Sequence, residues 1–383
     1  MKKLLAIILA TIAIGACTND DKYSLQYFQD TYGSKNDSDS AATSDTLAVS
    51  IVYNGNTATL SGDTQMLTIT GSQAHVVITS ATDKYLHLTL SGSTSNGSLT
   101  VYNQKKYGIT LSGVSITNPQ GPAINNQCSK SLYVTLAQGT ANTLADGTAY
   151  AEAAIDQKGT LFSEGQIYFQ GTGSLTVNGN AKNGIASDDY IVFESGNISV
   201  SVASTGSNGV KTNDGLQIKG GTLNIDVKAN GARGIKNDAK TTISGGTTTI
   251  STSGDCLIET TDGITDTTSC AGIKCDSLFT QTAGELTITS SGDGGKGINC
   301  AENIVLEGGT MNVTTTGSNN EGKPKAVKSD TGIILSGGQF HASCNKSWAC
   351  DNGTDSDDPA DHVTIVGTPV TKSLAKREVT VIF

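Results

Sequence analysis

The stretch GVKTNDGLQIKGGTLNIDV, residues 209–227, decides the fold, because its outline returns in GIKNDAKTTISGGTTTIST, residues 234–252. Each copy opens with a glycine before an aliphatic residue, Gly209 or Gly234, and carries a second glycine at the same later position, Gly221 or Gly246. A unit that returns at a fixed spacing of about 25 residues predicts a repeat architecture in which each unit stacks on the next.

The repeat runs through the second half of the chain. Its first glycine, replaced by alanine in the last copy, stands at Gly184, Gly209, Gly234, Gly272, Gly297 and Ala326. Its second glycine stands at Gly196, Gly221, Gly246, Gly284, Gly309 and Gly338. The interval from first to second is identical in all six copies, whereas the interval from a second glycine to the next first position is longer after Gly246 and after Gly309. Insertions are therefore confined to one edge of each coil, which is typical of a working surface.

Apolar residues alternate with polar ones along each copy, as on strands whose alternate side chains face a core. The predicted inward positions form four ladders: Ile191, Leu216, Thr241, Phe279, Ile304 and Ile333; Phe193, Ile218, Ile243, Gln281, Leu306 and Leu335; Ile198, Leu223, Thr248, Leu286, Met311 and Phe340; and Val200, Ile225, Ile250, Ile288, Val313 and Ala342. A propeller blade needs roughly 40 to 45 residues, more than one copy provides. The sequence predicts an all-β fold, a right-handed single-stranded parallel β-helix with coils of about 25 residues, which the strand 378–383 closes at its C-terminal end.

Two cysteines belong to this pattern. Cys275 and Cys300 occupy equivalent positions in consecutive copies and should therefore stack in neighbouring coils, facing inward. A pair of buried thiols and a disulfide both fit this placement, because stacked inward side chains do not automatically have disulfide geometry.

The N-terminus predicts export. Lys2 and Lys3 precede a short apolar run, and the tetrapeptide Ile-Gly-Ala-Cys that ends at Cys17 resembles a bacterial lipobox, in which Cys17 is lipidated. We expect a lipoprotein signal peptide over residues 1–17, a polar disordered tether over 18–47 and the β-helix over 48–383. The expected location is the outer membrane, on the cell surface, with the lipid as the only contact with the membrane. An ordinary signal peptide with an incidental cysteine is the alternative.

Two predicted outward columns carry opposite charges, at two and at four positions after the first glycine. The first column contains Lys211, Lys236, Lys274 and Lys328, and the second contains Asp188, Asp238, Asp276 and Asp330. At a coil spacing of about 4.8 Å, the lysines could bind successive carboxylates of an acidic chain directly, and the aspartates could do so through Ca²⁺. A lattice in which the two columns only offset each other's charge is an equal alternative.

Acidic residues also lie on the edge that accepts insertions. They are Asp255, Asp262, Asp266 and Asp293. Carboxylate oxygens suit Ca²⁺, which we expect as the cofactor, and a solvated turn is an equally good interpretation of any single loop. The formal net charge of −10 disfavours nucleic acid as a partner and means that an acidic ligand would need a bridging cation.

The block YGITLSGVSITN at residues 107–118, followed by GPAI at 121–124 and TLAQGTANTL at 135–144, resembles the bacterial carbohydrate-binding β-helix family related to pectate lyases. The resemblance covers roughly residues 48–350. It implies calcium bound in the manner of pectate lyases, and binding of cellulose-like and polygalacturonate chains without evident cleavage.

Three functions are consistent with this sequence: glycan binding, β-elimination by a polysaccharide lyase, and a structural or adhesive role. A lyase needs a base beside a calcium-bound uronate, and nothing marks Arg233, Arg377, Lys236 or Lys274 as activated. Aromatic residues are scarce, which disfavours a stacking platform for crystalline cellulose. We therefore expect calcium-assisted, non-catalytic binding of an acidic, polygalacturonate-like polysaccharide, and we make no prediction of the oligomeric state.

Overall fold

The computed structural model describes residues 46–318 and 322–383, and over these residues the chain is a β-solenoid. It has about 11 coils with a spacing of about 25 residues, which confirms the predicted fold class. The predicted signal peptide, Cys17 and nearly all of the predicted tether lie outside the described residues. Among the described residues, no helix has the length and apolar character needed to cross a membrane.

One side of the solenoid is a sheet of 12 strands, which we call the smaller sheet. From Ala74–Ser80 onward its strands are parallel, and each comes from the next coil. The strands are Thr68–Ser72, Ala74–Ser80, Gly97–Asn103, Ile124–Asn126, Gly159–Ser163, Asn183–Ser187, Asn208–Thr212, Arg233–Asn237, Ala271–Cys275, Lys296–Cys300, Lys325–Ser329 and Cys350–Asp351.

The remaining sides form a sheet of 21 strands, the larger sheet, which bends at the second glycine of each coil. Thr241–Thr252 and Phe279–Ser290 run continuously through this bend. The other strands are Thr46–Asn54, Thr57–Gly62, Tyr85–Thr94, Tyr107–Asn118, Leu132–Leu136, Ala141–Asp146, Ile167–Gly171, Ser174–Gly179, Tyr190–Phe193, Asn197–Val202, Gly215–Ile218, Thr222–Val227, Ile304–Leu306, Thr310–Thr315, Ile333–Leu335, Gln339–Cys344, Thr364–Ile365, Thr371–Ala375 and Glu378–Ile382.

Short elements complete the described chain. Leu257–Thr261 and Ile264–Thr268 form a separate antiparallel hairpin between two coils. Thr64–Met66 and Pro359–His362 are short 3₁₀ helices.

Antiparallel strands cover both ends of the solenoid. Thr57–Gly62 pairs with Thr46–Asn54 near the N-terminal end of the described chain. At the other end Glu378–Ile382 pairs with Gln339–Cys344, which confirms the predicted closing strand. These strands satisfy backbone groups that a bare terminal coil would leave unpaired.

The predicted inward ladders form the core. Every residue of the four ladders is buried, and the strand registers stack equivalent residues directly on one another. Burying one large aliphatic or aromatic side chain contributes about 1.5–3 kcal/mol. Gln281, the amide in these ladders, donates from Nε2 to the carbonyl oxygens of Gly284 and Thr310 at 3.2 and 2.9 Å.

Glycine is required at the two positions for different physical reasons. The first glycine stands where the smaller sheet approaches the opposite wall: a Cβ on Gly184 would lie 2.4 Å from Cγ1 of Val200. In the last repeat Ala326 takes this position, and the equivalent facing residue is Ala342, which is smaller than valine or isoleucine. The second glycine makes the bend, with a positive φ of +75° at Gly221, for example.

Candidate functional site

The four predicted lysines lie on the outer face of the smaller sheet. Lys211 stands opposite Lys236, and Lys236 opposite Lys274. Asn299 separates Lys274 from Lys328, the last lysine of the column. Neighbouring strands are about 4.8 Å apart, so the predicted lysine column exists, with one interruption.

The aspartate column pairs with the lysine column. Asp238 accepts hydrogen bonds from Lys211 Nζ at 2.5 Å and from Lys236 Nζ, and Asp276 accepts from Lys236 Nζ and from Lys274 Nζ at 2.5 Å. Burial alone would raise the pKa of Asp276, but the hydrogen bonds and charges of Lys236 and Lys274 outweigh it and hold the pKa at about 2. Over these coils three lysines share two aspartates, so the two columns offset most of each other's charge, as the lattice alternative requires.

Lys328 and Asp330 repeat this pairing one coil beyond the interruption, where the ammonium group donates to Asp330 Oδ1. The four lysines of the column are all half-buried, with side-chain exposures from 16% to 28%. A ligand that approached this face would therefore compete with ion pairs that are already formed.

Asp255 and Asp293, predicted as calcium ligands, join the turns of successive coils. Asp255 Oδ1 accepts the backbone N–H of Asp293 at 2.8 Å, and Asp293 Oδ1 accepts that of Ser318 at 2.8 Å. Asn230 Oδ1 accepts the backbone N–H of Asp255 in the same way, at 3.0 Å. The Ser318 N–H lowers the pKa of Asp293. These contacts give both carboxylates a structural role, and calcium binding by them stays a prediction.

Asp262 and Asp266 lie on the hairpin formed by Leu257–Thr261 and Ile264–Thr268. Asp262 has a φ of +51° and Gly263 one of +78°, as expected of an Asp-Gly hairpin turn. Both aspartates are exposed, and Asp266 Oδ1 accepts the N–H of the next residue, Thr267. The insertion before Gly272 is therefore a strand pair, and its aspartates are not brought together with the other predicted ligands in the described structure.

The remaining predicted aspartate, Asp188, belongs to a carboxylate cluster. Oxygen atoms of Asp156, Glu164 and Asp188 all lie within 4.8 Å of one another. Lys158 Nζ is 2.6 Å from Asp156 and 2.5 Å from Asp188. Burial and then the charges of Asp188 and Asp156 raise the pKa of Glu164, because one ammonium group faces three carboxylates. This set of hard oxygen donors with surplus negative charge suits a calcium ion.

Asp156 and Glu164 were not predicted. Ser163 stands opposite Ser187 in the neighbouring coil, so Glu164 occupies the position equivalent to Asp188. The preceding coil carries Thr160 where later coils carry the first glycine, which hid this equivalence in the sequence. Asp156 lies in an irregular segment before the strand Gly159–Ser163, where no repeat could have placed it.

A depression lies beside this cluster, at the N-terminal end of the lysine column. Ala186 stands opposite Lys211 and forms a buried floor where the following coils carry lysine. The depression has a volume of about 360 Å³. Its lining is Lys158, Lys182, Asn183, Ala186, Ser187, Asp188, Lys211 and Asn213. The structure thus brings three ammonium groups and one carboxylate of the cluster to one cavity.

A family model described as carbohydrate-binding domain-containing protein matches residues 71–358. The chain belongs to this carbohydrate-binding family. The match confirms the resemblance inferred from the blocks at residues 107–144, and it covers both the acidic cluster and the two charged columns.

Two known proteins resemble the chain. A carbohydrate-binding domain-containing protein of Acetivibrio thermocellus is 33% identical over 115 residues, which are 29% of this chain and 40% of that protein. The chain therefore matches less than half of that relative's length. The solved structure of a polysaccharide lyase-like protein from C. thermocellum, a gadolinium derivative, has a TM-score of 0.55 and 27% identity, and the match covers 68% of this chain and 97% of the other.

The residues considered for lyase chemistry are not gathered at the acidic cluster. Burial lowers the pKa of Arg233, whose strand lies three coils beyond Gly159–Ser163 in the smaller sheet. Lys236 and Lys274 are both ion-paired, as described above. Arg377 lies near the closing strand and is exposed.

The other sequence expectations concern cysteines and aromatic residues. Cys275 and Cys300 stand opposite each other, are buried and are both free thiols, in agreement with the thiol interpretation. Trp348 stacks on His362 with a centroid distance of 4.0 Å, and Tyr133 stacks on Tyr168 at 4.9 Å. Each of these rings already has an aromatic neighbour on one face.

Proposed function

We propose that this member of the carbohydrate-binding family binds an acidic, polygalacturonate-like polysaccharide with the help of calcium, without cleaving it. The observation that carries the proposal is the carboxylate cluster of Asp156, Glu164 and Asp188 beside the lysine-lined depression over Ala186. At this place carboxylates that suit a cation and ammonium groups that suit a polyanion lie side by side on one surface.

Calcium would be held by oxygen atoms of Asp156, Glu164 and Asp188, and the Lys158 ammonium group would have to leave the cluster to admit it. Bound calcium would supply positive charge and open coordination positions for a sugar carboxylate. Because the protein has a formal net charge of −10, an acidic chain should approach this surface poorly without the ion.

Lys182 would bind a sugar carboxylate directly, and Lys211, which is paired to Asp238, would do so only where the sugar carboxylate displaces that aspartate. Both line the depression, and Lys182 is exposed, although its Nζ also donates to the Gln157 carbonyl oxygen at 2.6 Å. Lys236, Lys274 and Lys328, proposed from the sequence as ligand-binding residues, are paired to aspartates and would contribute only where a sugar carboxylate displaces the aspartate.

The test is binding of the full chain to polygalacturonate by calorimetry, in calcium and in chelator. Asp188→Asn and Glu164→Gln should abolish the calcium dependence, whereas Asp226→Asn, which removes a carboxylate paired to Lys228 on the larger sheet, should not. Equal affinity in calcium and chelator, or a preference for neutral glucans, would refute the proposal.

Thermal unfolding provides a second readout for the metal alone. An ion that binds only the folded chain stabilises it by about 2.7 kcal/mol at a hundredfold excess over its dissociation constant. We expect calcium to raise the melting temperature of the wild type and to leave that of Asp188→Asn unchanged. Identical curves with and without calcium would remove the metal from the proposal.

We further propose that the protein is displayed on the outer membrane through lipid on Cys17, on the basis of the lipobox resemblance. Metabolic labelling with a radioactive fatty acid should mark the wild type and not Cys17→Ala. Protease added to intact cells should digest the wild-type protein if it faces outward.

A further inference from the structure

The lysine and aspartate columns are both interrupted in the coil that contains Lys296–Cys300. Asn299 stands between Lys274 and Lys328 in the lysine column. Two residues later, Ala301 occupies the place that Asp276 and Asp330 hold in the neighbouring coils. This coil therefore lacks the carboxylate that neutralises the lysines elsewhere.

Lys296 adds a cation at the same coil. Its Nζ donates to the carbonyl oxygen of Gly322 at 2.9 Å and to Ser269 Oγ, and it forms no ion pair with the carboxylates of the described residues. An ammonium group has three donor hydrogens, so the bonds to described residues account for two of them and the third could serve a ligand. Burial, followed by the charges of Lys328, Lys325 and Lys274, lowers its pKa to about 8, as expected where several cations lie near one another.

The lysines around this coil differ in their carboxylate partners. Lys274, Lys325 and Lys328 pair with Asp276, Asp351 and Asp330 respectively, and Asp276 is shared with Lys236. Lys296 has no carboxylate partner within the described ranges. Glu302, the exposed residue after Ala301, accepts a hydrogen bond from Ser277 Oγ at 3.0 Å.

The depression and this interruption are aligned. Ala186 and Asn299 occupy the same column, with Lys211, Lys236 and Lys274 between them. Four coil steps of about 4.8 Å separate the two positions by about 19 Å. The line that joins them runs parallel to the axis of the solenoid, across three lysines that are ion-paired to the neighbouring aspartate column.

We propose that Lys296, together with Lys274, Lys328 and the Asn299 amide, forms a second carboxylate-binding subsite, and that one acidic glycan chain spans both subsites along the solenoid axis. This inference rests on the proposed function, since it takes the depression over Ala186 as the first subsite. It adds the direction of the bound chain and a minimum length: a ligand shorter than about 19 Å reaches only one subsite.

The experiment compares digalacturonate with long polygalacturonate, both titrated into the full chain in calcium. Asn299→Asp puts a carboxylate between Lys274 and Lys328 on an outward position, and Asn299→Ser is its neutral control. Lys296→Gln removes the additional cation. We expect Asn299→Asp and Lys296→Gln to weaken binding of the long chain about tenfold, the scale of one lost charged contact, and Asn299→Ser to change it less than twofold.

Digalacturonate should distinguish the subsites, because its affinity for the depression should be the same in all three variants and lost in Asp188→Asn. If the wild type binds the long chain and neither Asn299→Asp nor Lys296→Gln weakens it, the second subsite is refuted and the proposed function stands. If the wild type binds neither ligand, the proposed function itself is refuted, and the second subsite with it. Circular dichroism of each variant verifies that the coils are intact.

Discussion

The contact between the first glycine and the facing wall predicts a specific pair of compensating substitutions. In Gly184→Ala the new Cβ would lie 2.4 Å from Cγ1 of Val200 and 2.9 Å from the carbonyl oxygen of Gly209. The φ of Gly184 is outside the left-handed region, so the backbone accepts alanine and the penalty comes from overpacking. Overpacking a well-filled core costs about 1–3 kcal/mol.

Val200→Ala alone removes two buried methyl groups and should cost about 2 kcal/mol, between the values for small and large truncations. It also removes one of the two atoms that Gly184→Ala meets and leaves the carbonyl oxygen of Gly209 at 2.9 Å. The double variant should therefore be destabilised by less than the sum of the two single variants, with a coupling of about 1–2 kcal/mol between the two positions. Ala342→Val, made alone and together with Ala326→Gly, tests the converse case in the last repeat.

Urea unfolding followed by circular dichroism gives the free energies, with the transition midpoint as the quantity compared, because a chain of stacked coils need not unfold in a single step. Additive destabilisation in the Gly184→Ala, Val200→Ala double variant would show that the glycine is required for some other reason. A neutral effect of Gly184→Ala would refute the close approach of the two walls altogether.

Three further predictions concern charge, thiols and chemistry. Asp276 has a folded-state pKa of about 2, below the ordinary value of 3.8, so its stabilising effect is complete above about pH 4 and is lost as the pH falls towards 2. Asp276→Asn should therefore flatten the fall in melting temperature between about pH 4 and pH 2. Melting temperatures of wild type and variant that fall in parallel over this interval would contradict the prediction. The cysteines of the described residues are all buried, so a water-soluble thiol reagent should label the native protein slowly and the urea-unfolded protein at once, and rapid native labelling would count against the structure. Incubation with polygalacturonate and calcium should release no unsaturated product detectable by ultraviolet absorbance, and steady product formation that Lys236→Ala or Arg233→Ala abolishes would establish a lyase.

The fold could be predicted from the sequence because two spacings were visible without an alignment. The constant interval between the two glycines places both walls of each coil, and the apolar alternation identifies which side chains face inward. The register of Lys211, Lys236 and Lys274 follows from the same spacing and is confirmed. Periodicity of this kind specifies position, because every coil repeats one backbone path.

The site was less predictable because it depends on departures from the repeat. Ala186 and Asn299 take column positions where other coils carry lysine; Ala186 forms the floor of the depression, and Asn299 lies on the same strand as Lys296. Asp156 comes from a segment outside the repeat. Whether Lys236 Nζ meets Asp238 and Asp276, or a ligand, depends on side-chain geometry that spacing does not determine.

The hairpin of Leu257–Thr261 and Ile264–Thr268 marks an edge of the solenoid where segments of the chain could be exchanged. It lies between Lys236 and Lys274 in the sequence, yet these lysines are direct neighbours in the smaller sheet, as closely registered as Lys211 and Lys236, whose coils follow each other without an insertion. The stacked walls therefore tolerate an added element at this edge without any loss of alignment. Natural variation, or deliberate loop grafting, could replace that segment and give the same scaffold a new recognition surface, while the residues that bear its mechanical integrity stay untouched.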